Sequence, residues 1–115
     1  MWVVFISILS LLNGHIFKKF SFNFFIPPDK VIHFVFYGIL VLLVIRALSL
    51  TFKVTYKIYL VSVITAVSYG VLMELCQKFF TTTRTADIKD VFANCIGIFT
   101  VLLFYHIYKK MVKYN

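Results

Sequence analysis

The chain has very few acidic residues. Only four of its 115 residues are Asp or Glu, against twelve Lys or Arg, which gives a formal net charge of +8 at pH 7. Charged residues make up 14% of the sequence, well below the roughly 25% that is usual in soluble domains. This scarcity of charge argues against a soluble domain with a solvated, charged surface.

Cysteine and proline are equally scarce, with two copies of each. Cys76 and Cys95 stand alone, without the paired spacing of a metal site or the density of a disulfide framework, so the sequence predicts neither. The prolines are adjacent, Pro27 and Pro28, and mark a connection between apolar segments.

Apolar residues fill most of the chain. Hydrophobic side chains make up 62% and aromatic ones 19% of the sequence, and the mean hydropathy is +0.95. Long apolar runs are separated by short basic connections, which is typical of an integral membrane protein. The sequence therefore predicts an all-α, polytopic membrane helix bundle of about four transmembrane helices in a single domain, 1–115. The predicted spans are 2–17, 31–50, 58–79 and 88–108.

The first predicted span is short, because a bilayer normally requires about 20 residues. Met1 to Leu12 has the apolar length of a signal peptide, but no Lys or Arg precedes it and no small-residue cleavage pattern follows. We therefore expect a retained first helix. Three accounts of its short length are open: it tilts little, it thins the membrane locally, or it begins at the membrane surface with Trp2 as an anchor.

The basic residues lie at the ends of the predicted spans. They do not form a stripe with interleaved stacking aromatics, so we expect contact with membrane lipids and no nucleic-acid binding. Six lie on each side of the membrane, and a simple positive-inside count is tied. Discounting Lys30, Arg84 and Lys89, which lie beside acidic residues, predicts that both termini are cytoplasmic and that the acidic residues face outward.

Polar residues follow three of the predicted helices at helical spacing. The second span carries Asp29, His33 and Tyr37 at i, i+4 and i+8, which places them on one face. The third and fourth spans carry similar stripes at the same side of the membrane. We expect the stripes to converge into one polar cluster, with the planar guanidinium of Arg84 as its counter-ion. The predicted members are Asp29, His33, Tyr37, Glu74, Gln77, Arg84, Asp87, Asp90 and Asn94.

Two interpretations of this cluster are open. Polar side chains can hold membrane helices together by hydrogen bonds worth about 0.6–2 kcal/mol each, and Asp29 and Asp87 are candidate helix N-caps. Ionisable groups inside a membrane are costly, however, and mark functional sites by default. We favour a structural role for any single residue and a functional role for the set.

The chemistry of the cluster is less defined. His33, Glu74 and Asp90 are candidate catalytic residues, because an imidazole between carboxylates can transfer a proton near neutral pH. Asp29, one turn before His33, could equally fix the ring as a structural cap. No zinc-protease motif and no nucleophile elbow is present, so the sequence predicts no metal and no cofactor and does not decide whether the protein is an enzyme.

Three motifs carry a family resemblance. They resemble those of the VanZ-like family of small bacterial membrane proteins, and the resemblance covers residues 29–97. It implies a multi-pass protein of the bacterial cytoplasmic membrane that acts at the cell envelope. The family's name-giving member is associated with resistance to the lipoglycopeptide teicoplanin. The motifs are Asp29-Lys30-x-x-His33-x-x-x-Tyr37, Tyr69-Gly70-x-x-x-Glu74-x-x-Gln77 and Arg84-x-x-Asp87-x-x-Asp90-x-x-x-Asn94-x-x-Gly97.

These observations lead to one working hypothesis and two alternatives. The hypothesis is a polar pocket at one membrane face that receives an amphiphilic or lipid-linked envelope ligand and is linked to glycopeptide resistance. The first alternative is a membrane-embedded hydrolase or transferase that uses acid–base catalysis on a lipid-linked substrate. The second is a non-catalytic scaffold or subunit. The sequence does not indicate an oligomeric state.

Overall fold

The structure is a computed structural model that describes residues 1–11, 25, 28–82 and 86–114. These parts of the chain form α-helices and no strands, which confirms the all-α prediction. The helices are α1 (Trp2–Leu11), α2 (Pro28–Ser49), α3 (Tyr56–Phe80) and α4 (Ile88–Tyr114).

Three of the helices, α2, α3 and α4, are long and apolar enough to cross a membrane. They have 22, 25 and 27 residues. At about 1.5 Å per residue each exceeds the roughly 30 Å of a hydrocarbon core. Their bounds lie close to the predicted spans, except that α4 continues to Tyr114. The added turn contains Lys109, Lys110 and Met111, which are good helix formers.

The first helix is shorter than the other three. α1 has ten residues, about 15 Å, which is about half the depth of a hydrocarbon core. The predicted span extended to residue 17, and residues 12–17 lie outside the described part of the chain. The indole Nε1 of Trp2 donates to the carbonyl of Phe36 at 3.2 Å. Trp2 therefore packs against the middle of α2, a contact that does not favour the anchor among the three accounts of the short first span.

The contact between α2 and α4 is the closest in the bundle. Gly97 of α4 lies against the backbone of Phe34, where an added Cβ would come within 2.8 Å of the carbonyl carbon. One turn further, a Cβ on Gly38 would lie 2.7 Å from Val101 Cγ2. Small residues let membrane helices approach this closely. The contacts advance together along both helices, so α2 and α4 are parallel and begin at the same end of the bundle.

The third long helix runs in the opposite direction. A short connection, residues 50–55, joins α2 to α3, so the C-terminal end of α3 returns to the end where α2 and α4 begin. Glu74 and Gln77 are therefore brought to the level of the first turns of α2 and α4. The buried apolar core below them draws on all four helices and comprises Ile6, Tyr37, Leu40, Val41, Ile45, Ala66 and Ile98.

Polar contacts fix α1 along α3. Gln77 Nε2 donates to the Ser10 carbonyl at 2.8 Å, and the Tyr69 hydroxyl donates to the Val3 carbonyl at 3.0 Å. The Ser7 and Tyr69 hydroxyls are 2.5 Å apart. These contacts also advance together along both helices, so α1 is parallel to α3 and points towards the same end of the bundle as Glu74.

Replacing Gln77 by leucine is expected to loosen α1. Leucine is similar in size but cannot donate to Ser10, and a lost hydrogen bond of this kind costs about 1 kcal/mol. Amide hydrogen exchange along α1 should become faster, while exchange in the middle of α3 stays unchanged. Ser62→Ala is the matched control, because that hydroxyl bonds within α3 to the Ile58 carbonyl. Equal exchange in wild type and Gln77→Leu would contradict this account of how α1 is held.

Candidate functional site

A lysine lies at the centre of the acidic residues. Lys30 projects from the first turn of α2, and its Nζ lies 2.5 Å from Asp90 Oδ1 and 3.2 Å from Asp87 Oδ2. Asp29 Oδ2 is 3.8 Å away. The side chain of Asp90 is 7% exposed, whereas those of Asp29 and Asp87 are 36% and 41% exposed. The ion pair with Asp90 is thus the buried one, and the other two carboxylates lie towards the surface.

The counter-ion of the acidic residues is Lys30, which the sequence placed beside them without predicting this role. That role was predicted for Arg84, which lies outside the described residues. Lys30 and Asp90 are 60 positions apart, and only the parallel packing of α2 on α4 places them together. One sequence feature pointed to Lys30 as a counter-ion: it directly follows Asp29, at the same membrane level as the predicted start of α4.

His33 lies one turn deeper than Lys30, between two carboxylates. Its Nδ1 lies 3.1 Å from Asn94 Oδ1 and donates to it, because an amide oxygen can only accept. Its Nε2 then faces Asp90 Oδ2 at 3.7 Å and Glu74 Oε1 at 4.0 Å. Asn94, rather than Asp29, makes the hydrogen bond that orients the ring.

Glu74 joins the end of α3 to the start of α4. It is 4% exposed, and its Oε2 accepts a hydrogen bond from the backbone N–H of Asp87 at 3.2 Å. The arrangement brings carboxylates from two helices to one imidazole. One ligand atom each from His33, Glu74 and Asp90 lies within 4.8 Å of the others, so these residues could hold a divalent cation through nitrogen and oxygen ligands. The sequence predicted no metal here, and that stays a prediction.

Tyr37 packs below the imidazole. The rings of His33 and Tyr37 are stacked, with centroids 6.2 Å apart and planes 7° from parallel. Gly70 of α3 makes room for this layer, since a Cβ there would lie 2.8 Å from Asn94 Nδ2 and 3.2 Å from Tyr37 Cε1. Tyr37 and Asn94 therefore form an uncharged floor, and Gly70 has a packing role.

The structure brings together most of the predicted site residues. Asp29, Tyr37 and Asn94 lie around a more compact group of ionisable side chains, which we call the charged cluster. Gln77 is buried nearby, but its amide is directed to Ser10 of α1. The charged cluster comprises Lys30, His33, Glu74, Asp87 and Asp90.

Of the two residues predicted as helix N-caps, Asp87 is one and Asp29 is not. Asp87 directly precedes α4, and its Oδ1 accepts from the backbone N–H of Lys89 at 2.9 Å, as an N-cap does. Asp29, by contrast, lies inside the first turn of α2, which begins at Pro28, so its assignment as the N-cap is wrong. Its negative charge still interacts favourably with the positive end of the helix dipole.

Acid is expected to weaken the start of α4 through Asp87. The Lys89 N–H, together with Lys30, lowers the pKa of Asp87 below its ordinary value of 3.8. A depressed pKa contributes stability that is present above the ordinary value and lost as the pH falls through the folded-state value. Thermal unfolding of the purified protein on either side of pH 3.8 should therefore show a smaller acid-induced loss in Asp87→Asn than in wild type. Equal losses would contradict this role.

The fold and the site together define a small polytopic helical membrane protein with ionisable side chains buried at one end of its bundle. The VanZ/LLP1 family profile matches residues 2–109. The chain therefore belongs to the VanZ/LLP1 family, which confirms the resemblance drawn from the three motifs. Comparison with curated proteins and with solved structures gives no match.

Proposed function

We propose that the charged cluster binds the polar head of an amphiphilic or lipid-linked ligand of the cell envelope. The observation that carries this proposal is the position of Lys30 and His33, each facing carboxylates at the end where α2 and α4 begin. Buried charges at that level are within reach of a head group at the membrane surface. Such residues are costly in a membrane, and those that occur there commonly line ligand or ion sites.

We further propose that this binding lowers the sensitivity of the cell to teicoplanin. The support is the family resemblance, because the name-giving member is associated with resistance to that lipoglycopeptide. A lipoglycopeptide carries both a lipid and a polar part and is itself amphiphilic. A cluster that binds polar heads at the membrane surface is suited to such a molecule.

The proposed location is the bacterial cytoplasmic membrane, with the charged cluster facing outward. We call the end of the bundle where α2 and α4 begin the cluster end. All four acidic residues lie there, and ion pairs neutralise the ammonium of Lys30. The C-terminus and the connection from α2 to α3 lie at the opposite end. With Lys30 neutralised, that end carries six basic residues against five at the cluster end, and the positive-inside rule favours it as the cytoplasmic one. The basic residues of that end are Arg46, Lys53, Lys57, Lys109, Lys110 and Lys113.

The test is teicoplanin susceptibility in a susceptible Gram-positive host. Wild type is expected to protect, and His33→Gln is expected to lose protection, because glutamine cannot place a ring nitrogen between Glu74 and Asp90. His106→Gln is the matched control, since His106 is exposed near the other end of α4. Full protection by His33→Gln, at the same amount of folded protein, would favour the scaffold alternative.

A second candidate function is acid–base catalysis on a lipid-linked substrate. The observation that favours it is that His33 Nε2 faces two carboxylates while Asn94 holds Nδ1, an arrangement in which the ring can take up and return a proton. Turnover of such a substrate should follow a bell-shaped pH–rate profile and disappear in His33→Gln. Binding of the substrate without turnover would exclude catalysis and leave head-group binding as the proposed function.

A further inference from the structure

An apolar groove lies on the outer side of the charged cluster, between the first turns of α2 and α4. Its volume is about 450 Å³, within the range of about 300–1,000 Å³ that is usual for ligand pockets. Val31, Phe92 and Ile96 in its wall are exposed, so the groove opens on the side of the bundle that faces lipid. The lining residues are Lys30, Val31, Phe34, Lys89, Phe92, Ala93 and Ile96.

Charge and apolar surface are separated along this groove. Lys30 and Lys89 lie at the end of the groove that is nearest the membrane surface, which we call its upper end, in the first turns of α2 and α4. No acidic residue is among the lining residues. Phe34 and Ile96 lie one to two turns deeper along the same helices. Lys89 thus offers a positive group above an apolar wall, which matches an anionic amphiphile in a bilayer, whose head lies at the surface and whose chain points inward.

The two lysines contribute in different ways. Lys89 gives its backbone N–H to Asp87, and its exposed side chain forms no ion pair with the residues that the structure describes. Its ammonium can therefore bind an anion at the membrane surface. Lys30 directs its ammonium to Asp90 and Asp87, while the residue also lines the groove. Lys30 is thus shared between the groove and the charged cluster.

We infer that this groove holds the chain of a lipid phosphate whose head group binds Lys89 and lies beside Lys30. The inference rests on the proposed function, for which it names the class of ligand and its route from the lipid to the charged cluster. The ammonium of Lys30 is directed to Asp90 and Asp87, so Lys89 is the residue that binds the phosphate. A chain seated between α2 and α4 would place the head group directly above the charged cluster.

Photolabelling of the full chain in lipid nanodiscs tests this inference. The discs contain phosphatidylcholine and a small fraction of phosphatidic acid with a photoactivatable group in its acyl chain. Mass spectrometry is expected to locate the label on the α2 and α4 peptides that contain Phe34 and Phe92. The same group in a phosphatidylcholine probe is expected to label these peptides less.

Two variants and their controls separate the groove from general lipid contact. Ala93→Phe fills the groove and is expected to abolish most of the labelling, whereas Ala47→Phe, at an exposed position near the other end of α2, is not. Lys89→Gln alters only an exposed side chain and should fold as wild type does. It is expected to reduce labelling by phosphatidic acid about fivefold, the effect of losing one lysine near an anionic head group. Lys57→Gln is its control.

The outcomes distinguish this inference from the proposed function. Equal labelling by the two lipid probes, or labelling that persists in both Lys89→Gln and Ala93→Phe, overturns the lipid-phosphate groove. If labelling follows the groove variants while His33→Gln still protects against teicoplanin, the groove stands and the proposed function fails. Labelling that is lost in Lys89→Gln but kept in Lys57→Gln supports the inference, whatever the folding of Ala93→Phe.

Discussion

Most of the protein is expected to disappear from the membrane when Gly97 is replaced by valine. An added Cβ would lie 2.8 Å from the carbonyl carbon of Phe34, which belongs to the backbone of α2 and cannot rotate away. Overpacking against side chains costs about 1–3 kcal/mol, and a clash with backbone is expected to exceed that range. The closest helix pair in the bundle, which also positions Lys30 against Asp90, would have to separate.

The amount of folded protein extracted from membranes measures this effect. Gly38→Ala is the matched control, because the new Cβ would meet Val101 Cγ2, a side-chain atom that can shift. We expect a partial loss for Gly38→Ala and a much larger one for Gly97→Val. Accumulation of Gly97→Val at the wild-type level would mean that α2 and α4 do not cross at this glycine.

The second large effect is expected for Lys30→Gln. Removing one partner of a buried ion pair costs about 3–5 kcal/mol, because the other charge stays buried without compensation. Lys30→Gln withdraws the cation from three carboxylates, whereas Asp90→Asn leaves Lys30 with Asp87 and Asp29. Lys30→Gln should therefore be the more destabilising of the two.

Denaturant unfolding in mixed micelles ranks these variants. The double variant Lys30→Gln/Asp90→Asn should recover part of the stability lost in Lys30→Gln, because it removes the stranded buried charge. Ser62→Ala, a buried polar residue of α3 outside the charged cluster, gives the baseline for loss of a local hydrogen bond. A lysine variant no less stable than Asp90→Asn would contradict the central position of Lys30.

Much of the fold follows from the sequence. The apolar runs are long enough to define α2, α3 and α4 within a few residues, because a bilayer demands a minimum helix length. Helical spacing places His33 with Tyr37 and Asp90 with Asn94 on common faces. Alternating helix directions then bring these faces to one end of the bundle, so the existence of a polar cluster could be predicted.

The pairing inside that cluster could not be predicted. Spacing along one helix does not say which neighbour it faces, and the contacts of Lys30 with Asp87 and of His33 with Asn94 join residues 57 and 61 positions apart. They depend on how α2 crosses α4 at Gly97. The sequence does not show which pair of helices meets at this glycine. The contact of Trp2 with Phe36 could not be predicted for the same reason, since Phe36 lies on another helix.

The most direct test of the charged cluster as the functional site is the teicoplanin susceptibility of Glu74→Gln. Glutamine keeps the volume of the side chain and an oxygen that can accept from the Asp87 N–H, but it removes the carboxylate that faces His33. Hosts that hold equal amounts of folded wild type, Glu74→Gln or Ser62→Ala are compared. We predict protection by wild type and Ser62→Ala and none by Glu74→Gln. Protection by Glu74→Gln at the wild-type level would contradict the account and leave the cluster a structural role.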